Sequence, residues 1–179
     1  MTPIFLVVGP PAVGKSTTAR ALATRFQKSI HIPVDDMREM VVSGLLVPGF
    51  DWNEGLVEQL TLARENVIHM AKTYSKAGFA VVIDDFWDPF SRLNEYVHLF
   101  QELNVHKVLL FPDEQVAIER NVKRSGLEAG DENITLGIRV IYGFLETAII
   151  ELKDQGWIIL DTTGRSVETI VDEILSKVE

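Results

Sequence analysis

Residues 9 to 16 read Gly9-Pro10-Pro11-Ala12-Val13-Gly14-Lys15-Ser16, and Thr17 follows. Two glycines enclose four residues and are followed by Lys and Ser. The apolar run Ile4 to Val8 precedes this stretch, and a helix-patterned segment, Lys15 to Phe26, follows it. Strand, glycine-bounded loop, helix is the context a phosphate-binding loop requires. Gly14 lets the chain turn where a side chain would clash, so successive N–H groups of the loop after the two prolines can point at phosphate oxygens. The helix beginning near Lys15 adds its positive end and its unpaired donors. Lys15 is then placed to reach the β and γ phosphates, and the Ser16 hydroxyl to hold Mg2+. A nucleoside triphosphate is the expected ligand.

The 179 residues suit one domain, and the 46% hydrophobic content suits one sizeable core. No cysteine is present, which excludes disulfides and thiolate metal sites. No run of about 18 apolar residues is evident, so no membrane span is expected. Met1-Thr2-Pro3 lacks the basic head of a leader peptide, and a cytoplasmic location is expected. The net charge of −9 is the wrong sign for a protein that grips a nucleic-acid backbone over a wide face.

Apolar runs at Ile30 to Val34, Phe79 to Ile83, Val105 to Phe111 and Trp157 to Leu160 read as four further strands. Helical spacing fills the segments between them: 36 to 43, with Asp35 as its N-cap; 54 to 77; 90 to 102; 113 to 124; 134 to 153; and a last helix capped by Ser166. Alternation of strand and helix predicts an α/β fold of three layers, a five-stranded parallel sheet with helices on both faces. Ligands of such sheets sit beyond the carboxyl ends of the strands. The phosphate loop, Asp35-Asp36, Asp84-Asp85, Pro112-Asp113 and Asp161 to Gly164 all fall at strand ends, and the pair Asp35-Asp36 is expected beside the phosphate loop.

Phosphoryl transfer to a hydroxyl needs a carboxylate to take its proton. Asp35 is the first candidate and Asp36 the second. Arg38 shares a helix face with Asp35 and is a candidate acceptor contact. Asp84 closes an apolar strand, as the second metal-site acid of phosphate-loop proteins does; Asp85 either takes that place or faces the acceptor. Arg120 and Arg124 are four apart on one helix face, where cations can stabilise charge on transferring oxygens. Arg139 is a further candidate. The polar stretch from Ser125 to Asn133 suits a mobile lid, placed at about residues 120–135. Thr163-Gly164 offers bare backbone to an adenine ring, or simply a strand-to-helix turn. Trp52 and Phe50 line an acceptor pocket or pack the core. The four histidines, at positions 31, 69, 98 and 106, lack metal-ligand spacing and are taken as structural.

Taken together, the phosphate loop, Asp35-Asp36-x-Arg38, Asp84 and Glu119-Arg120-Asn121-x-x-Arg124-Ser125-Gly126 resemble the phosphate-loop kinases of the adenylate-kinase-like group. The set is most similar to polynucleotide 5′-kinase domains. Asp161-Thr162-Thr163-Gly164 looks more like chloramphenicol phosphotransferases and gluconate kinases. The resemblance implies ATP and Mg2+ as cofactors, Lys15 and Ser16 on phosphate and metal, Asp35 as base, Arg38 on the acceptor, and Arg120 and Arg124 in a small helical lid. From Asp35 to Glu58 six acids (Asp35, Asp36, Glu39, Asp51, Glu54, Glu58) face one Arg38, which would repel a polyphosphate backbone. Bulky Phe86 and Trp87 follow the acids at 84 and 85 and, with Trp52 and Phe50, are expected to offer apolar walls to the acceptor. The expected acceptor is therefore a hydroxyl of a small neutral or cationic, partly apolar molecule. A polynucleotide or nucleoside 5′-hydroxyl is the alternative, and a nucleotide-dependent switch protein with slow hydrolysis is a third reading. Both a monomer and a homodimer are compatible with the sequence.

Overall fold

A computed structural model describes residues 2–48, 52–126 and 132–178. Five strands, β1 (Ile4–Gly9), β2 (Ser29–Pro33), β3 (Ala80–Phe86), β4 (Val105–Leu110) and β5 (Ile158–Leu160), form one sheet. Every pairing is parallel, in the order β2-β3-β1-β4-β5. The helices are α1 (Lys15–Ala23), α2 (Val34–Glu39), α3 (Glu54–Lys76), α4 (Val97–Glu102), α5 (Glu114–Ser125), α6 (Glu132–Asp154) and α7 (Val167–Ser176), with a 3-10 turn at Asn94–Tyr96.

Side chains alternate across a strand, and the two faces of this sheet feed two separate clusters. Ile4, Leu6, Val8, Val81 and Ile83 pack with α3 and the inner side of α6; Phe5, Val7 and Val82 pack with α1 and α7. The expected three layers are thus present.

Strand order departs from one expectation. β2 is not the neighbour of β1, because β3 is inserted between them, yet Pro33 and Asp36 still line one groove with Ser16 and Thr17 of the phosphate loop. β3 also runs further than its apolar stretch. Val7, Val8 and Gly9 pair with Asp84, Asp85 and Phe86, so both acids lie inside the strand rather than after it. The α2 helix starts two residues early and ends at Glu39: Pro33 is its N-cap, and Asp35 and Asp36 occupy the first turn, where acids complement the helix dipole. The helix expected over 90–102 is reduced to the 3-10 turn and α4. Asp88 captures the N–H groups of Phe90 and Ser91, and Arg92 and Leu93 take φ of 51° and 62°, which stops a helix.

α6 is long and apolar enough, by length and composition, to cross a membrane, which the sequence reading did not anticipate. Its apolar character has an inward cause: Ile138, Ile141, Tyr142, Leu145, Ala148 and Leu152 are buried against the rest of the fold.

Gly9 ends β1 where the backbone of β4 is closest. A Cβ at Gly9 would lie 2.5 Å from the Leu110 carbonyl oxygen and 3.0 Å from Val13 Cγ2. Gly9→Ala is expected to cost about 1–3 kcal/mol, the usual penalty of forced overpacking. Urea unfolding of the nucleotide-free protein checks this; an unchanged midpoint would mean that β4 yields freely.

Candidate active site

The chain from Pro10 to Val13 forms a turn over the end of β1. Ala12 and Gly14 take φ of 62° and 97°, and Gly14 caps α1. Lys15 is half-buried, and its Nζ donates to the Pro10 carbonyl at 2.9 Å, folding back over the loop. Burial lowers the Lys15 pKa below its ordinary 10.5, Asp35, Asp84 and Asp85 pull it back up, and Arg124 lowers it further. Lys15 is therefore held among acids of β3 and α2, with one lid arginine near.

The consecutive acids of β3 are separated by strand parity. Asp84 shares a face with Val82, the α1 side; Asp85 shares a face with Ile83, the α3 side. The Ser16 hydroxyl donates to Asp84 Oδ1 at 2.9 Å. This places one hydroxyl and one carboxylate at the start of α1, beside the loop amides. Among the described residues no three His, Cys, Asp or Glu side chains gather to hold a metal alone. A Ser–Asp pair next to a phosphate cradle fits Mg2+, which keeps several waters and takes phosphate oxygens as ligands.

Asp85 does not face an acceptor. Its carboxylate is buried, with Oδ2 accepting from Arg64 Nε at 2.8 Å and from the Tyr96 hydroxyl at 3.1 Å, and Oδ1 accepting from the Phe86 N–H. Arg64, fully buried on α3, also binds Asp88 and Glu95, each at 2.9 Å, and the Ser91 hydroxyl. Burial alone would lower the Arg64 pKa, but Asp85, Tyr96 and Glu95 hold it above its ordinary value. One guanidinium thus ties α3 to β3 and to the 88–95 turn.

Asp35 is exposed on α2 and accepts from Arg38 Nη1 at 3.1 Å. Arg38 itself is 7% exposed and donates through Nη2 to the Leu46 carbonyl, so it also braces the 40–48 loop. Asp36 turns elsewhere. With Ser16, Thr17, Arg20, His31 and Pro33 it lines an open groove of about 650 Å³ between α1 and the end of β2. Another cavity, of 320 Å³, lies by Pro3, Ile4 and His106 at the opposite ends of the strands. Open parallel sheets bind ligands at their carboxyl ends, so the groove at Ser16 is the relevant one.

Arg120 Nη1 donates to the Val13 carbonyl at 2.8 Å, bringing α5 onto the phosphate loop. Arg124 is exposed one turn on, and Arg139 is exposed on α6. Residues 127–131 of the expected lid lie outside the described residues, as does Phe50. Thr163 is exposed; its Oγ1 accepts from the Asp113 N–H, and its own N–H donates to Asp161, so this turn joins the ends of β4 and β5. Gly164 takes φ of 64° there. Trp52 is half-buried and packs on Phe86 and Phe90, with ring centroids 6.3 Å and 4.8 Å apart. Trp87, expected on the acceptor wall, is instead core, edge-on to Trp157. Phe90, exposed and 6.2 Å from Phe144, joins that wall in its place.

Two participants were not anticipated. His31 lies against Asp84, Nε2 to Oδ2 2.5 Å, and no spacing in the sequence signals it. Arg64 did leave a signal: it is a charged residue on the apolar stripe of a helix, and such a residue must find buried partners.

This is a phosphate-loop architecture: a cradle at the end of the first strand, a Ser–Asp pair across to its neighbour, and an arginine-bearing helix over it. Residues 4–141 match the family model described as an AAA domain, AAA_33, and the chain belongs to that family. No curated protein matches the chain significantly. Among solved structures, shikimate kinase from Acinetobacter baumannii in complex with shikimate has TM-score 0.68 and 15% identity, covering 99% of this chain and 93% of that one. The tunicamycin resistance protein of Deinococcus radiodurans has TM-score 0.66 and 22% identity over 99% and 96%. A gluconokinase from Sinorhizobium meliloti 1021 has 0.64 and 17% over 97% and 90%. At these identities the likeness shows the fold alone.

Proposed function

We propose that this protein is a cytoplasmic kinase that transfers the γ-phosphate of ATP to a hydroxyl of a small neutral or cationic, partly apolar molecule, with Mg2+. The observation that carries the reading is the convergence of Lys15, the Ser16–Asp84 pair and Asp35 at the carboxyl ends of three neighbouring strands, with Asp35 near enough to act on Lys15 electrostatically. Asp35 accepts the proton of the acceptor hydroxyl as its oxygen attacks in line. Lys15, Arg120 and Arg124 stabilise the charge that grows on the transferring and bridging oxygens. Ser16 and Asp84 would hold Mg2+, which would supply charge neutralisation for the phosphates.

The acceptor's character follows from which charges are already spent. Arg64 is enclosed by three acids and Arg38 is engaged by Asp35 and Leu46, so neither is open to an acidic acceptor. Trp52 and Phe90 offer apolar surface, whereas Phe86, expected on that wall, is buried in the core.

The test is acceptor-dependent ADP release, screened over hydroxylated metabolites, nucleosides, aminoglycoside- and amphenicol-type compounds and 5′-hydroxyl oligonucleotides. A small neutral or cationic compound is expected to stimulate release, and Asp35→Ala to lower that turnover by about 10²–10⁴-fold, the usual span of general-base catalysis. Stimulation by oligonucleotides alone, or full turnover in Asp35→Ala, would overturn the reading.

A further inference from the structure

We propose that His31 is a positioning residue for the metal carboxylate: through Nε2 it fixes the rotation of Asp84, so that Oδ1 stays turned toward Ser16. The proposal rests on the reading of Ser16 and Asp84 as the Mg2+ ligands and goes beyond it to a residue from a different strand.

Parity explains how His31 gets there. On β2, Ile30 and Ile32 pack into the α3-side cluster. The residues between and after them, His31 and Pro33, are turned to the α1 side and line the groove with Ser16. Asp84 of β3 points to the same side, and Pro33 is its register partner. His31 therefore reaches along the sheet to the second oxygen of a carboxylate whose first oxygen is already on the Ser16 hydroxyl. An aspartate held on one oxygen only can swing about its last torsion, which is broad. Held on both, it presents one orientation. The Asp84 side chain is 6% exposed and that of His31 17%, so water competes little for this contact. Partners of this kind, which hydrogen-bond a ligating carboxylate, usually change metal affinity about 10–100-fold when removed.

β2 is the edge strand and His31 lines the open groove, so a side chain of similar size can replace it without opening the core. His31→Phe removes the ring nitrogens at similar size; His31→Gln keeps an amide donor at similar reach. The probe is Mn2+, titrated into the purified protein with saturating ADP and followed by the loss of its free-ion EPR signal. ADP affinity without metal is measured in parallel by calorimetry.

His31→Phe is expected to bind ADP without metal as the wild type does, and to bind Mn2+ in the ADP complex at least about tenfold more weakly. His31→Gln is expected to recover most of that loss. In ATP hydrolysis without acceptor, the half-saturating Mg2+ concentration rises in His31→Phe while the rate at saturating Mg2+ is kept. Wild-type Mn2+ affinity in His31→Phe overturns the proposal and leaves the kinase reading standing. Equal weakening in both variants, or a matching loss of metal-free ADP affinity, also overturns it, since packing rather than the hydrogen bond would then be responsible. A wild-type protein whose ADP complex takes up no Mn2+ removes the Ser16–Asp84 metal site itself, and this proposal with it.

Discussion

Lys15→Met is expected to abolish the thermal stabilisation that ATP or ADP gives the protein, and to lower phosphoryl transfer by about 10²–10³-fold or more, the usual cost of losing one donor to the transition state. A ligand at about 100 times its Kd stabilises a fold by roughly 2.7 kcal/mol. That increment should vanish in the variant. The nucleotide-free protein should behave oppositely. Burial holds the Lys15 pKa below its ordinary value in the folded state. The folded chain thus binds this proton less tightly than the unfolded chain, a penalty fully present below the folded pKa and relieved as pH rises through it. Removing the ammonium removes the penalty, so nucleotide-free Lys15→Met should melt no lower than wild type at neutral pH. Differential scanning fluorimetry with and without nucleotide reads both effects. Retained nucleotide stabilisation in Lys15→Met would remove the phosphate loop as the binding site.

Arg64→Met is expected to have the largest effect on stability of any single substitution on α3. It leaves Asp85, Asp88 and Glu95 around a site from which their shared cation has gone. Breaking a buried pair on one side typically costs about 3–5 kcal/mol. For a chain of this size that corresponds to roughly 6–20 °C in melting temperature. The pH dependence gives the effect a signature. Without the guanidinium, burial raises the folded-state pKa of Asp85 with only the Tyr96 hydroxyl bond left to oppose it. A carboxyl with a raised folded pKa destabilises once pH exceeds its unfolded value, so the deficit of Arg64→Met grows as pH rises through that window and shrinks toward acid. Adding Asp85→Asn to Arg64→Met should recover part of the loss at neutral pH. A deficit independent of pH, or no recovery in the double variant, would show that lost packing against Phe86 rather than stranded charge is responsible.

Much of this fold was legible because its signals are local. The apolar strand, glycine-bounded turn and helix of residues 4–23 can be read in one short window. Asp113 and Ser166 each bond an N–H two or three residues on and so cap the helices expected to follow them. The failures are equally specific. Residues 90–102 carry helical spacing, but Asp88 spends its oxygens on the following backbone and on Arg64, a partner 24 residues earlier in the chain. Trp87 reads as acceptor wall because it follows two acids; the sheet turns it onto Trp157.

The amino-acid sequence by itself determined the phosphate cradle, the alternation of strands and helices, and a group of acids at the strand ends, because each depends on residues that are neighbours along the chain. Only the tertiary structure decided what those acids do. Asp84 and Asp85 are adjacent and chemically alike, and strand parity sends one to Ser16 and His31 and the other to Arg64. Those partners come from α1, β2 and α3, and no short window of sequence contains the packing that brings them together.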